Sequence, residues 1–554
     1  MLTRFLLLCS LSFPLIVAIP AGLVPDQLGF TGHGVFQIPD PTASFGRHDS
    51  YFPGPSEVGF PGPTATGSEA AAIATAPAAA LNLDTYPIIA PSVRYSGSNP
   101  EFNPMRYWGS LTPWFSVGDA FGLPNTSPQV PDGCELDQVH LLHRHGARYR
   151  TPMPGANDSD SGLPSVIGRP HFKASGPLQF LNTWKDLLGE EILTPFGRDE
   201  PFNLGVGFRV KYGELLNRFK RHLPVFRTCS QERMVQTSLN FAAGFWGIPE
   251  YLTSYHQLYI IEAPGFNNTL APYMNCPNAF GKHFLTGIYA AGNWSELYLA
   301  ETVPRLQEYI KGYTLTVKDV SWMQETCAYE TVALGYSKFC ELFTEDEWRG
   351  YEYASDLSFW YGFAFGNPVA AAQGIGWVQE LVARLTKERP TVFDTSMNRT
   401  LNSNKITFPL DQPMYVDATH DAVIANVITA LNFTTLAANG PLPSDHIPID
   451  QESCLRFTTP SHAHVSYVQT FRVRDITPFS ANLVAQVVSC ATSGRTKKMP
   501  FIRFLLNDGV VPLTGLAHCE KHNRDGLCLL EDFIKGAKER ISEVDFTQDC
   551  FGRD

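Results

Sequence analysis

Residues 144–152 read Arg-His-Gly-Ala-Arg-Tyr-Arg-Thr-Pro, just after the apolar run Val139–Leu142. That run is predicted to be a buried strand ending at the charged cluster. The glycine after the histidine lets the backbone turn tightly. Two guanidiniums beside an imidazole are costly to bury unless an anion sits among them. A tetrahedral dianion offsets the cost, because guanidinium forks bind its oxygens in pairs. His145 is then placed to accept a phosphoryl group as nucleophile. The plain alternative is a strand end with solvated arginines and a hydrogen-bonded histidine.

A second charged pair, His420-Asp421, follows Met414-Tyr415-Val416-Asp417-Ala418-Thr419 and leads into AVIANVITALNF. Together the two stretches resemble the signatures of the histidine acid phosphatases, the branch of the phosphoglycerate mutase-like superfamily that includes the fungal phytases. The usual fungal form is RHGARYPT, so Arg150 stands where proline is common. Tyr107-Trp108-Gly109, Thr112-Pro113-Trp114, Leu193-Thr194-Pro195-Phe196-Gly197, Phe226-Arg227, Arg233-Met234, Cys340-Glu341-Leu342-Phe343-Thr344 and Leu505-Leu506-Asn507-Asp508 follow in matching order. The resemblance spans residues 105–552.

It implies an α/β fold: a phosphoglycerate mutase-like α/β lobe from residues 101–170 and 396–554, with an inserted, mainly helical lobe at 171–395. The active site is expected in the cleft between them, at the carboxyl ends of strands. Patterning predicts strands near Val139, Met414, Phe471 and Phe501–Leu506, and helices at Val303–Tyr313, Gly376–Glu388 and Ala422–Asn432. The resemblance makes His145 the nucleophile that becomes a phosphohistidine. Arg144 and Arg148 keep it neutral and stabilise the equatorial oxygens. Arg233 matches the third arginine of the family site, His420 donates to a phosphate oxygen, and Asp421 is the general acid. An aspartate in a helix's first turn also complements the helix dipole, which lowers the pKa that an acid catalyst needs raised. This scheme needs neither metal nor other cofactor.

The front of the chain sets the expected compartment. Residues 1–21 carry one arginine and an apolar core from Phe5 to Ala18, the pattern of a secretory signal peptide. Residues 22–100 are rich in Pro, Gly, Ala, Ser and Thr and are read as a flexible, low-complexity extension. Acceptor triplets for glycosylation occur at Asn125, Asn157, Asn267, Asn293, Asn398 and Asn432, which fits a secreted protein, extracellular or held in the cell wall. Of 11 cysteines, Cys9 falls in the leader. An even remainder suggests disulfides in an oxidising compartment. The resemblance pairs Cys134 with Cys490, Cys276 with Cys550, Cys327 with Cys340 and Cys519 with Cys528. Cys229 and Cys454 either pair together or stay free. The one HxxxH, His518 and His522, flanks Cys519 in a loop and is a poor metal site.

The substrate is predicted to be a small phosphomonoester, with neither nucleic acid nor membrane as a partner, since the net charge is −12. No feature of the sequence sets an oligomeric state. Many fungal phytases carry a lysine cluster shortly after the motif. Here Met153–Arg169 holds Arg169 as its only base and includes Asp158 and Asp160. The reading is therefore a broad acid phosphatase that accepts phytate among other esters, the alternative being a dedicated phytase. Basic residues at Arg209–His222 fit a solvated helix face. Two rivals remain: a mutase, against which the leader and His420-Asp421 argue, and a non-catalytic phosphoester-binding relative.

Overall fold

The computed structural model describes residues 50–58, 102–118, 121–123, 125–151, 162–219, 222–438, 440–448, 471–491, 498–520 and 524–552. The expected leader at 1–21, most of the 22–100 extension, Asn157, Cys454 and His522 lie outside them.

The core is a mixed sheet of β1 (Cys134–Arg144), β2 (Val225–Cys229), β3 (His256–Ile260), β4 (Met414–Thr419), β5 (Asn482–Cys490), β6 (Met499–Leu506), β7 (Gly509–Val511) and β8 (Cys528–Leu529). Their spatial order is β8-β6-β5-β1-β4-β2-β3, with β7 paired to β6. β1, β4, β2 and β3 run parallel, whereas β5 and β6 are antiparallel. The parallel strands are nearly continuous apolar runs because both faces are covered. Val139, Leu141, Phe226, Met414 and Val416 point into one apolar cluster. Leu142, Ala418, Leu483 and Phe504 point into another, as the two-residue period of a strand requires.

On the first face lie α1 (Pro195–Tyr212) and α2 (Glu232–Trp246), which contribute Phe208, Tyr212, Phe241 and Phe245 to the cluster. The other face is covered by α6 (Ala370–Thr386), α7 (Asp421–Ala430) and α8 (Leu530–Glu543). Every residue of α7 after Asp421 is buried, so this helix is apolar all round and runs inside the protein. A separate apolar cluster joins Trp108, Leu178, Leu181, Met323, Phe339 and Trp348 around α4 (Val317–Leu334) and the start of α5 (Glu345–Phe363). α3 (Lys282–Tyr298) packs along α5. Capping boxes at Thr316/Asp319 and Thr344/Glu347 start α4 and α5.

Several expectations are corrected. The 171–395 stretch is not wholly a separate helical lobe, because β2 and β3 within it extend the sheet beside β4. Val225–Cys229 is buried on both faces, which only a central strand provides. Phe471 begins no strand. The chain turns there into Val473–Ile476, whose first amide donates to Asp356, and the strand comes at β5. The helix expected at Val303–Tyr313 stops at Gln307, whose side-chain amide donates to the carbonyls of Ile310 and Tyr313. The 22–100 extension is not uniformly loose: Phe52 is 1% exposed and stacks on His256 at the start of β3.

Disulfides join Cys134–Cys490, Cys276–Cys550, Cys327–Cys340 and Cys519–Cys528, the pairs implied by the resemblance. Cys229 is a buried free thiol. Asn125 and Asn293 are exposed. Asn267, Asn398 and Asn432 instead donate their side-chain amides to the carbonyls of Met397, Asn267 and Gly515, so the nitrogen that would carry a glycan is already engaged there. No helix among the described residues is long and apolar enough to cross a membrane.

Candidate active site

The carboxyl ends of the four parallel strands meet at one point. β1 delivers Arg144 and then His145, β4 delivers His420, and the turn after β2 leads to Arg233 in the first turn of α2. His145 and His420 face each other edge-on, with ring centroids 5.8 Å apart. Sequence reasoning expected these residues and Arg148 and Asp421 together, and the fold brings them together.

The loop after β1 is fixed by its neighbours. Gly146 is required by close approach: a Cβ there would lie 1.8 Å from the carbonyl oxygen of Gly197. Gly197 is equally confined, 1.6 Å from the Ala147 oxygen. The Leu193–Gly197 stretch thus serves the loop directly. Thr194 donates its amide to the Ala147 carbonyl and caps α1 by accepting from the Gly197 amide, while Pro195 fills the first helical position.

His145 is 1% exposed. Its Nδ1 lies 2.8 Å from the Gly146 carbonyl. A carbonyl can only accept, so Nδ1 carries the proton and Nε2 is left with its lone pair. Burial, then Arg144, Arg233 and Arg148, hold this imidazole well below its ordinary pKa. It is therefore neutral in mild acid.

Each arginine is anchored by a different element. Arg144 donates to the carbonyls of Ser110 and Thr477, pairs with Asp421 at 2.6 Å, and lies over Phe479. Burial lowers its pKa to about 10, opposed by Asp421. Arg148 donates to the Tyr149 carbonyl and touches the Tyr329 hydroxyl at 3.4 Å. Arg233 pairs with Glu191. The Nε of Arg144, Arg148 and Arg233 are buried without a hydrogen-bond partner among the described residues. Buried N–H groups normally find acceptors, and three such orphans around one imidazole mark an anion site. Arg150 is half-buried rather than free in solvent; it donates to Thr326 and lies 5.6 Å from the Tyr329 ring.

Asp421 is the first residue of α7, and His420 sits at its cap position with extended backbone. Burial would raise the Asp421 carboxyl, but Arg144, then Arg148 and the Ala422 amide, hold it below its ordinary value. The conflict foreseen from the helix start is thus resolved toward the carboxylate while Arg144 is its partner.

Three buried carboxylates were missed by sequence reasoning, and each holds one part of the site. Glu191 neutralises Arg233. Glu200 accepts the amides of Ala147 and Trp114, at 2.7 and 3.1 Å, tying the loop to the Thr112–Trp114 stretch. Burial raises its carboxyl to about 7, against those two bonds. Glu262, just past β3, accepts from His420 Nε2 at 3.0 Å and from the Tyr273 hydroxyl at 2.7 Å. Burial would raise it, but His420, Arg233 and Tyr273 keep it below its usual range. For Glu262 alone a signal was available, its position just beyond a parallel strand's carboxyl end.

Cys229, Glu262 and His420 bring donor atoms within 4.8 Å of one another. The guanidinium of Arg233 beside them opposes a cation. His518 is paired with Glu539 at 2.9 Å.

Comparisons with known proteins identify the family and the fold. The sequence profile of the histidine phosphatase superfamily (branch 2) matches residues 135–507. Phytase A of Aspergillus oryzae is 33% identical over 445 residues, 77% of this chain and 87% of that protein. Phytase A of Aspergillus fumigatus is 32% identical over 441 residues, with the same coverage of both chains. The crystal structure of the phytase from D. castellii superposes with a TM-score of 0.62 at 24% identity, covering 83% of this chain and 91% of that one, and is alike in fold.

Proposed function

Because the chain belongs to the histidine phosphatase superfamily, branch 2, we propose that it runs phosphomonoester hydrolysis through a phosphohistidine at His145. It is a histidine acid phosphatase, a hydrolase of small phosphoesters. The observation that carries the residue assignment is the neutral, oriented His145 ringed by three buried arginine Nε groups that lack partners.

In the proposed reaction the Nε2 lone pair attacks phosphorus while the bond to the ester oxygen breaks. Arg144, Arg148, Arg233 and His420 hold the non-bridging oxygens, where the transition state spreads its charge. Asp421 gives its proton to the leaving alkoxide. Water then attacks the phosphohistidine, returns a proton to Asp421, and releases phosphate. Asp421 starts as the partner of Arg144. An arriving dianion takes over that guanidinium and adds a negative charge beside the carboxylate, and both changes raise its proton affinity. Acidic solution favours the same state, and His145 stays neutral there because its pKa is depressed.

The substrate reading is a broad acid phosphatase that accepts phytate. Identity to Phytase A proteins over most of the chain supports phytate as a substrate. The scarcity of bases in Met153–Arg169 argues against a surface dedicated to that polyanion alone. Secretion is part of the proposal: the 1–21 leader pattern and four disulfides suit an oxidising compartment.

The test is phosphate release from an aryl phosphate near pH 5 with chelator present, comparing the protein with its His145→Ala variant. Release that persists with chelator and is lost in the variant is expected, with phytate hydrolysed by the same protein. Equal release by the variant would overturn the nucleophile assignment. Binding without turnover by the intact protein would favour the ligand-binding relative.

A further inference from the structure

Between α1 and the sheet lies a cavity of about 340 Å³ whose lining includes none of the arginines or histidines of the site. Leu204, Phe208, Val484 and Leu505 give it apolar walls. It opens to solvent beside the exposed Trp114, Asn203 and Lys211, so a small molecule can enter it.

Two buried polar side chains, Ser480 and Asn482, 2% and 4% exposed, line the cavity. Ser480 Oγ and Asn482 Nδ2 have no hydrogen-bond partner among the described residues. Orphaned polar atoms in a buried wall cost stability unless a ligand meets them. Ser480 also sits at φ +53°, a left-handed conformation unusual for a non-glycine residue.

The same residues connect the cavity to the loop that carries His145. The Ser480 amide donates to the His145 carbonyl at 2.8 Å. Glu200, on the opposite wall, accepts the Ala147 amide at 2.7 Å. An occupant touching either residue bears on the backbone on both sides of Gly146.

Charge narrows the occupant. Asp199, Glu200 and Asp508 line the cavity against one base, Lys211, which is already paired with Asp508 at 2.7 Å. Burial keeps Glu200 protonated in mild acid and Lys211 is taken by Asp508, so the lining offers a phosphoester no free base and this is no extension of the substrate site. We propose that the cavity is an effector site for a small uncharged molecule with an apolar body and an amide or hydroxyl head that bonds Asn482 Nδ2 and Ser480 Oγ. Its occupation changes turnover through the two bonds to the catalytic loop.

Benzamide has that chemistry and serves as the probe. Gly207 lines the cavity, and a Cβ built there meets nothing within 4 Å. Gly207→Phe therefore fills the space, and Gly207→Ala controls for the loss of a helical glycine. Calorimetric titration of the full chain, in buffer free of phosphate, reads binding independently of turnover. The expected result is saturable binding, unaltered by added inorganic phosphate, weakened about tenfold or more in Gly207→Phe and retained in Gly207→Ala. In the unsubstituted protein benzamide should also shift kcat for an aryl phosphate. Absence of saturable binding, equal binding by Gly207→Phe, or displacement by phosphate would each overturn the proposal. None of these outcomes bears on whether His145 is the nucleophile.

Discussion

Two histidines face each other in the site, and their partners set them different tasks. His145 gives its Nδ1 proton to a carbonyl and presents a free Nε2. His420 commits Nε2 to Glu262, a carboxylate held ionised by its surroundings. Which ring nitrogen carries a proton is decided by the bond the other makes. With Nε2–H given to Glu262, a neutral ring would leave a lone pair on Nδ1, so His420 donates to a phosphate oxygen only as the doubly protonated ring, the form that a carboxylate partner favours and that cannot compete as a nucleophile. Glu262→Gln keeps the shape and loses the charge, and one side-chain oxygen cannot serve both His420 and Tyr273. A hydrogen bond to a charged group contributes about 1.5–3 kcal/mol. The expected loss in kcat/KM is therefore roughly 10- to 100-fold, with weaker inhibition by product phosphate and a lower melting temperature. Unchanged phosphate inhibition would show that Glu262 acts on the fold and not on the ligand.

At the scale of elements, α6 is bolted to the sheet by a buried ionic network. Asp417 in β4 accepts from Arg227 of β2 and from Arg384 and Trp377 of α6, and Glu380 accepts from Arg227. Two cations and two anions balance, so burial is tolerated. Burial alone would raise the Asp417 carboxyl, but Arg227 and Arg384 hold it far below its ordinary range. A depressed carboxyl contributes fully above its unfolded value, near pH 4, and loses that contribution only as pH falls below it. Asp417→Asn should destabilise the protein by about 3–5 kcal/mol, seen in the denaturant midpoint at pH 5. A loss below 1 kcal/mol, as for a surface pair, would contradict it. This network shows what sequence reading reaches. The strand ending at Thr419 and the helix opening at Asp421 were legible because local period and motif coincide. Arg227, Glu380 and Arg384 are brought to Asp417 only by tertiary packing. β2 and β3 were placed in the wrong lobe for the same reason: five-residue strands inside a long helical stretch carry little periodic signal, and their place is set by pairing, β2 with β4 some 190 residues on and β3 with β2. The charged signatures were legible, while Glu191, Glu200 and Glu262 differ in sequence from ordinary acids only by where the fold carries them.

Across the whole molecule, opposed titrations share one pH window. Burial raises Glu200 and Glu330 to about 7, so the folded state keeps protons that the unfolded chain releases near pH 4.5. Stability from these groups falls as pH climbs through that range. Burial lowers His140 and His145 well below 6.5 and His143 to about 4, so the unfolded chain gains protons that the folded one refuses. Stability from these groups falls as pH drops from 6.5. The trends oppose, so unfolding free energy should change little between pH 5 and 7. Below pH 4 it should fall, where the depressed carboxyls Asp417, Asp421 and Glu262 lose their contributions. Removing one member of the histidine set tilts the balance in a calculable way. In His145→Ala the penalty of a neutral buried imidazole disappears. At pH 5 that penalty amounts to about 2 kcal/mol, since each pH unit below 6.5 adds about 1.4 kcal/mol. At pH 7 it is absent. The variant also loses packing, but that loss is the same at both pH values and cancels in the comparison. Relative to the unsubstituted protein, His145→Ala should therefore gain stability on going from pH 7 to pH 5, measured by denaturant titration without phosphate. A change of the opposite sign would mean that His145 is protonated in the folded site, and a protonated imidazole could not be the nucleophile.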